Sequence, residues 1–174
     1  MSQTEIYNIN ESWQQDRPKI LIVTCSDGRI QASIDEFLHR DLGILNYDRL
    51  YLPGGPGALS EETMSCAEKV NARSRGDYQW CELKFLLSAH QIQQLILIFH
   101  SPSEGGPPEA MCADYLRIFP NKSVEELRDQ QQLDAHKIVN AMNQRFPNVL
   151  VQSYRLEVGF GNVTTVRNLM VGTK

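Results

Sequence analysis

Long apolar runs and a surplus of positive charge are both missing from this sequence of 174 residues. No apolar run approaches the roughly 18 residues that a membrane-spanning helix needs, so we expect no membrane contact. With 17 Lys and Arg against 21 Asp and Glu, the net charge of −4 argues against a protein that mainly binds nucleic acid. Residues 1–18 are polar, which argues against a secretory signal and predicts a cytoplasmic protein.

Cysteine is scarce. The chain has four cysteines, none of them in a C-x-x-C pair, and their spacing excludes a linear zinc finger. In a cytoplasmic protein these thiols should be reduced. Cys66, Cys81 and Cys112 are predicted to be core thiols, while a metal site assembled from distant segments stays open.

Short apolar runs alternate with stretches of helical periodicity. Strands are predicted at residues 19–24, 49–52, 94–99 and 148–154, with a short edge strand at 164–169. Helices are predicted at 30–42, 60–73 and 79–91, and an S-x-x-E capping box at Ser123 and Glu126 starts one more. The alternation predicts an α/β fold with a mainly parallel central sheet of about four strands flanked by helices. We expect a polar N-terminal arm over residues 1–18 and one domain over residues 19–174.

The first predicted strand runs directly into Cys25, Asp27 and Arg29, which alternate as C-x-D-x-R. On an extended backbone these three side chains point the same way. Arg29 can then hold the Asp27 carboxylate ionised and favour the Cys25 thiolate. The structural alternative is a buried cysteine followed by an Asp-Gly turn, but the complete motif favours a functional site. Three residues separate Cys25 from Arg29, too few for the anion-binding loop of a cysteine-dependent phosphatase.

His100 follows the apolar residues of the third predicted strand and should reach the same sheet edge as Cys25. A thiolate and an imidazole are two ligands of the zinc type, and Asp27 can supply a third. The glycine-rich stretch Gly54–Gly57 lacks the spacing of a phosphate-binding loop, so a tight loop is predicted there.

Together these features resemble the β-class carbonic anhydrases. The resemblance rests on CSDGR at residues 25–29, on the run ELKFLLSAHQIQQLILIFH that ends at His100, and on the order of elements between residues 19 and 106. It implies a β-carbonic-anhydrase-like fold and a zinc ion held by Cys25 and His100. It also implies hydration of carbon dioxide to bicarbonate, with Asp27, paired with Arg29, orienting the water that zinc activates.

The sequence departs from this family at one zinc ligand. Relatives carry a second cysteine three residues after the histidine, and this chain has Ser103 there. A hydroxyl is a far poorer zinc ligand than a thiolate, so we expect a weakened site. Either Asp27 completes it, which resembles the inactive closed state of relatives, or no metal binds tightly. Cys112 and Glu104 are the remaining alternatives for a third ligand.

Three functions stay open. The first is a divergent β-carbonic anhydrase homologue of impaired or altered activity, acting on carbon dioxide or bicarbonate at a zinc site. The second is a non-enzymatic relative that binds a small anion or acts through its surface. The third is a small nucleotide-binding α/β module, which the absence of a glycine fingerprint disfavours. By analogy with relatives we expect a homodimer.

Overall fold

The computed structural model describes residues 14–60 and 73–171. Within these residues five strands form one sheet in the order β2-β1-β3-β4-β5. Their bounds are β1 Ile20–Cys25, β2 Asp48–Leu52, β3 Gln94–Pro102, β4 Leu150–Val158 and β5 Thr164–Val171. Strands β1 to β4 are parallel, and β5 pairs with β4 in the antiparallel direction. The predicted α/β class and mainly parallel sheet are confirmed, and β5 is the expected C-terminal edge strand.

Helices flank this sheet. Over the described residues the α-helices are α1 Gln31–Glu36, α2 Arg73–Ala89, α3 Ala113–Ile118 and α4 Val124–Arg145. The helix predicted at residues 60–73 falls almost entirely outside the described residues, as do the first 13 residues of the predicted arm. Short helix α3 follows a proline-containing turn, Pro108–Ala110, and had no clear periodic signal in the sequence.

The predicted helix at residues 30–42 is a composite. A 3₁₀ turn, Gly28–Ile30, leads into α1, and a π-helical turn, Phe37–Asp41, follows it. The segment ends at Gly43, whose φ of +67° is the left-handed conformation that glycine adopts without strain. The capping box of α4 is formed as predicted, because the Ser123 hydroxyl accepts from the Glu126 N–H and the Glu126 carboxylate accepts from the Ser123 N–H.

The core lies on both faces of the central strands β1 and β3. Leu21, Ile22 and Val23 of β1 are fully buried, and so are Leu95–Leu97 of β3. Such continuous apolar burial is typical of parallel strands covered on both sides. In the two described ranges, no helix combines the length and apolar character needed to cross a bilayer.

The cysteines differ in their surroundings. Cys25 and Cys112 are buried, whereas Cys81 is exposed on α2, so its prediction as a core thiol is wrong. The periodicity around Cys81 did not distinguish the solvent face of α2 from its buried face. Cys66 lies outside the described residues.

Candidate metal centre

Three side chains with metal-binding atoms meet at the carboxyl ends of β1 and β3. Cys25 is the last residue of β1, His100 lies near the end of β3, and Cys112 directly precedes α3. One ligand atom from each lies within 4.8 Å of the other two. The Sγ atoms of Cys25 and Cys112 are 3.8 Å apart. The three residues are only 6%, 1% and 2% exposed, so the cluster is shielded from bulk water.

His100 has one ring nitrogen that makes a hydrogen bond and one that makes none. Its Nδ1 atom lies 3.1 Å from the carbonyl oxygen of Ala110. A carbonyl oxygen only accepts hydrogen bonds, so Nδ1 carries a proton and Nε2 is the ring nitrogen left for another partner. Nε2 is buried and has no hydrogen-bond partner within the described part of the chain. Metal-binding histidines commonly donate their second ring N–H to a carbonyl or carboxylate in this way.

The two thiols of the cluster share a proton. The hydrogen bond from the Cys112 thiol, supported by His100 and by the Asp27 N–H, lowers the pKa of Cys25 to about 4 against the opposing effect of burial. The same hydrogen bond raises the pKa of Cys112, and burial and the nearby Cys25 sulfur add to the increase. The contact therefore favours a single proton held between the two sulfurs. Binding of a metal by both sulfurs releases that proton.

Asp27 is engaged by Arg29. Arg29 Nη2 donates to Asp27 Oδ2 at 2.6 Å and Nε donates to Oδ1 at 3.0 Å. The side-chain hydrogen bonds from Arg29 are the main cause that lowers the pKa of Asp27 to about 2. The Arg29 N–H also donates to Asp27 Oδ1, because the chain leaves its extended conformation at Asp27 and enters the 3₁₀ turn. The cluster of three does not include Asp27.

The strap formed by residues 109–112 joins these two halves of the site. Arg29 Nη1 donates to the carbonyl oxygen of Glu109 at 3.1 Å. The next carbonyl along the chain, that of Ala110, accepts from His100. Cys112 lies two residues after Ala110. The strap therefore both orients the His100 imidazole and places the Cys112 sulfur beside it.

Glutamine side chains hold the backbone of the ligand-bearing strands. Gln31 Nε2 donates to the carbonyl oxygens of Cys25 and Asp27, each at 2.9 Å. Gln131 Nε2 donates to the carbonyl oxygen of His100 at 2.9 Å. Neither contact had a signal in the sequence. Gln31 lies within six residues of both its partners, whereas Gln131 is 31 residues from His100.

The glycine-rich loop packs tightly against the site, which supports its interpretation as a structural turn. Gly55 has a φ of +60°, and a Cβ there would lie 3.2 Å from the Cys25 nitrogen. Gly54 has a φ of +88°, and its Cβ would lie 2.8 Å from Asp114 Oδ2. Glycine at these positions lets the loop backbone approach both Cys25 and the first turn of α3.

Ser103 has other partners. Its hydroxyl donates to the carbonyl oxygen of Glu104 at 3.4 Å, and its N–H donates to that of Val158 at 2.9 Å. Ser103 thus links the ends of β3 and β4. Glu104 is exposed. Of the two residues that the sequence left as alternative third ligands, the structure brings Cys112 to Cys25 and His100. The signal in the sequence was a cysteine at the start of a short helix, which on its own is common in cores.

The donor set fits zinc. Two sulfurs and one imidazole nitrogen are the soft and borderline ligands that zinc prefers, and three protein ligands leave a fourth position of a tetrahedral site open. The buried Nε2 atom of His100 gains the partner that it otherwise lacks. Cys25, His100 and Cys112 would hold the ion, with Asp27 and Arg29 beside them.

Comparison with solved structures finds β-carbonic anhydrases. The enzyme CafD of Aspergillus fumigatus is 13% identical, with a TM-score of 0.43 over 94% of this chain and 95% of the other. Isoform I of Trichomonas vaginalis is 13% identical, with a TM-score of 0.43 over 97% and 90%. A tetrameric enzyme of Sordaria macrospora is 12% identical, with a TM-score of 0.44 over 91% and 84%.

No protein-family model and no curated protein sequence matches the chain. The enzymes of Aspergillus, Trichomonas and Sordaria belong to the family that the sequence motifs resemble. Identities of this size say little about activity.

Proposed function

We propose that the chain binds zinc through Cys25, His100 and Cys112 and acts as a divergent β-carbonic anhydrase homologue. The observation that carries the zinc site is the unpartnered, buried Nε2 atom of His100 in a cluster with two sulfurs. Zinc in such a site supplies a Lewis acid and lowers the pKa of a bound water to about 7. The hydration of carbon dioxide is inferred from the C-x-D-x-R motif and its resemblance to that family.

Asp27 and Arg29 have separate roles in this proposal. With its pKa at about 2, Asp27 stays ionised at neutral pH and accepts hydrogen bonds only. It can therefore orient a water molecule at the centre, but it cannot donate a proton. Arg29 keeps the carboxylate in place and away from the ligand set, which leaves the fourth position of the metal to water or substrate.

The impaired activity expected from the sequence depended on Ser103 as the missing ligand. With Cys112 as the second thiolate, the ligand set is again two cysteines and one histidine. We therefore expect the chain to retain zinc, with an activity altered by the different origin of one sulfur. Carbon dioxide and bicarbonate are the proposed substrates.

Burial of the cluster favours a second candidate function, a zinc centre that stabilises the fold without turnover. All three proposed ligands are nearly inaccessible to solvent. Structural zinc sites are closed, whereas catalytic sites keep an open position. In this alternative the chain is a non-enzymatic relative.

One experiment separates these candidates. Protein purified without added metal is analysed for zinc, and carbon dioxide hydration is followed by stopped flow with a pH indicator. Stoichiometric zinc with hydration that Asp27→Asn lowers at unchanged zinc content supports the enzyme. Stoichiometric zinc without hydration supports the structural centre, and protein that neither retains nor takes up zinc overturns both.

We also propose a homodimer. Strand β2 is an edge of the sheet within the described residues, and Tyr51 on it is about half exposed. Edge strands are ready to pair with another chain. Light scattering after size exclusion gives the mass in solution, and a monomer at micromolar concentration would contradict the proposal.

A further inference from the structure

Cys112 directly precedes α3, a helix that depends on the rest of the fold for its position. Helix α3 has six residues, and helices of this length are unstable without tertiary contacts. The place of the Cys112 sulfur therefore depends on what fixes α3 to the rest of the fold. This dependence matters because a metal ligand must be held within a few tenths of an ångström.

Tyr115 fixes the first turn of α3 to α4. It lies three residues after Cys112, on the same side of the helix, and is fully buried. Its hydroxyl donates to Asp134 Oδ2 at 2.6 Å. Asp134 is itself fully buried on α4, the longest helix of the described residues. The contact therefore ties a weak element to a rigid one, one helical turn from the sulfur.

The Asp134 carboxylate also binds the loop that packs on Cys25, on the other side of the metal centre. Asp134 Oδ1 accepts from the Ser60 hydroxyl at 2.6 Å and from Gln130 Nε2 at 3.1 Å. Ser60 ends the loop whose Gly55 packs on the Cys25 nitrogen. Through its two oxygens Asp134 thus connects the loop behind Cys25 with the helix that carries Cys112.

Stability alone is a weak reason for this arrangement. A buried carboxylate costs free energy unless it is fully hydrogen-bonded, and apolar residues of similar volume often stabilise a core as well or better. Buried polar groups of this kind can instead specify one arrangement of the elements around them. Here the buried Asp134 carboxylate specifies how the segments that bear Cys25 and Cys112 approach each other.

We propose that Asp134 and Tyr115 are positioning residues that fix the Cys112 sulfur in the metal site. The proposal rests on the proposed function, since it presumes that the cluster binds metal. Asp134 and Tyr115 touch neither metal nor substrate. They act through Cys112, and this defines how their effect can be measured.

The test is a double-mutant cycle on metal affinity. Tyr115→Phe removes one hydroxyl and keeps the ring, and zinc affinity is measured by competition with a chromogenic chelator. We expect about tenfold weaker binding, the size that loss of an outer-shell contact commonly has. In the Cys112→Ser background the same substitution should change the affinity less than about twofold, because the residue through which it acts is gone.

Cobalt provides a readout that a general loss of stability would not change. In the Co(II)-loaded protein, Tyr115→Phe should weaken the thiolate-to-cobalt charge-transfer absorption, as Cys112→Ser does, while the protein stays folded by circular dichroism. Asp134→Asn, which keeps the size of the side chain, should behave like Tyr115→Phe. Tyr154→Phe is the matched control, because it removes the hydroxyl of another buried tyrosine, whose ring packs on Phe37 of the π-helical turn.

The outcomes are distinguishable. Equal losses of zinc affinity in the native and Cys112→Ser backgrounds, or no loss in either, overturn the positioning role while the zinc site stands. A wild-type chain that binds neither zinc nor cobalt overturns the proposed function and this inference with it.

Discussion

The sulfur atoms of Cys25 and Cys112 lie 3.8 Å apart although the residues are 87 positions apart in the chain. Neither residue alone distinguishes a metal ligand from a core thiol. Their proximity to each other and to His100 creates a donor set with the composition of a zinc site.

Replacement of Cys112 should cost most of the zinc affinity. Cys112→Ser exchanges a thiolate for a hydroxyl, a far poorer zinc ligand. We expect a loss larger than the roughly 10–100-fold that changes outside the ligand set cause. Chelator competition measures it, and Cys81→Ser, at an exposed cysteine, should leave the affinity unchanged. Equal affinities of the two variants would exclude Cys112 as a ligand.

Ser103 remains the predicted position of the family's missing ligand. In the Cys112→Ser background, Ser103→Cys should therefore restore part of the lost zinc affinity. In the native background the added thiol should have little effect, since Cys112 already completes the ligand set. Isothermal titration with zinc compares the variants, and failure of the rescue would show that residue 103 does not reach the centre.

Removal of Glu157 should destabilise the fold. Its Oε1 atom accepts from Arg155 at 2.8 Å, from Arg128 at 3.2 Å and from Arg167 at 3.0 Å. Glu157→Gln leaves these guanidinium groups without their carboxylate, and breaking a buried ion pair costs about 3–5 kcal/mol. Urea unfolding measures the loss. Arg167→Gln, at a side chain that is 61% exposed, should cost less than about 1 kcal/mol.

The stabilising effect of Glu157 should disappear in acid. Burial acts to raise the pKa of Glu157, but the hydrogen bonds from Arg155 and Arg167 outweigh it and hold the pKa below the ordinary 4.5. The contribution is therefore complete above pH 4.5 and is lost as the pH falls through the lower, folded-state value. The stability difference between wild type and Glu157→Gln should shrink over that range, and a constant difference would contradict the assignment.

The Asp27–Arg29 pair should also lose its stabilising effect in acid, and this effect should be smaller than that of Glu157. The pKa of Asp27 falls from 3.8 to about 2, so the pair stabilises above pH 3.8 and loses its effect toward pH 2. Because Arg29 is largely exposed, Arg29→Gln should cost less than about 1 kcal/mol at neutral pH. The control is the Asp27→Asn background. There, Arg29→Gln should have no pH-dependent effect on the free energy of unfolding.

A side chain at Gly57 should disturb the centre from outside the ligand set. A Cβ there would lie 2.0 Å from the Tyr115 hydroxyl oxygen, so Gly57→Ala must displace Tyr115 or the loop. We expect a loss of about 1–3 kcal/mol in unfolding free energy, as overpacking costs, together with weaker zinc binding. Gly28→Ala is the control, since a Cβ there meets no atom within 4 Å.

The sheet could be predicted well because its strands carry their own signal. The apolar runs that became β1 and β3 are buried on both faces, and local sequence reports this directly. The capping box of α4 is local too. Cys25 and His100 could be placed at one sheet edge because parallel strands end together.

The second sulfur could not be predicted in the same way. Cys112 reaches the cluster through contacts that are distant in sequence, such as that of Tyr115 with Asp134. No spacing rule encodes such tertiary contacts. The short helix α3 also lacks the length over which helical periodicity can be recognised.

The position of Cys112 at the start of α3 bears on how zinc-dependent homologues are recognised. A pattern that demands the second thiolate three places after the histidine would discard this chain as metal-free. Sequences set aside for the same reason warrant inspection for a cysteine that opens the following helix, because a thiol supplied from another place in the chain can complete the same set of donor atoms.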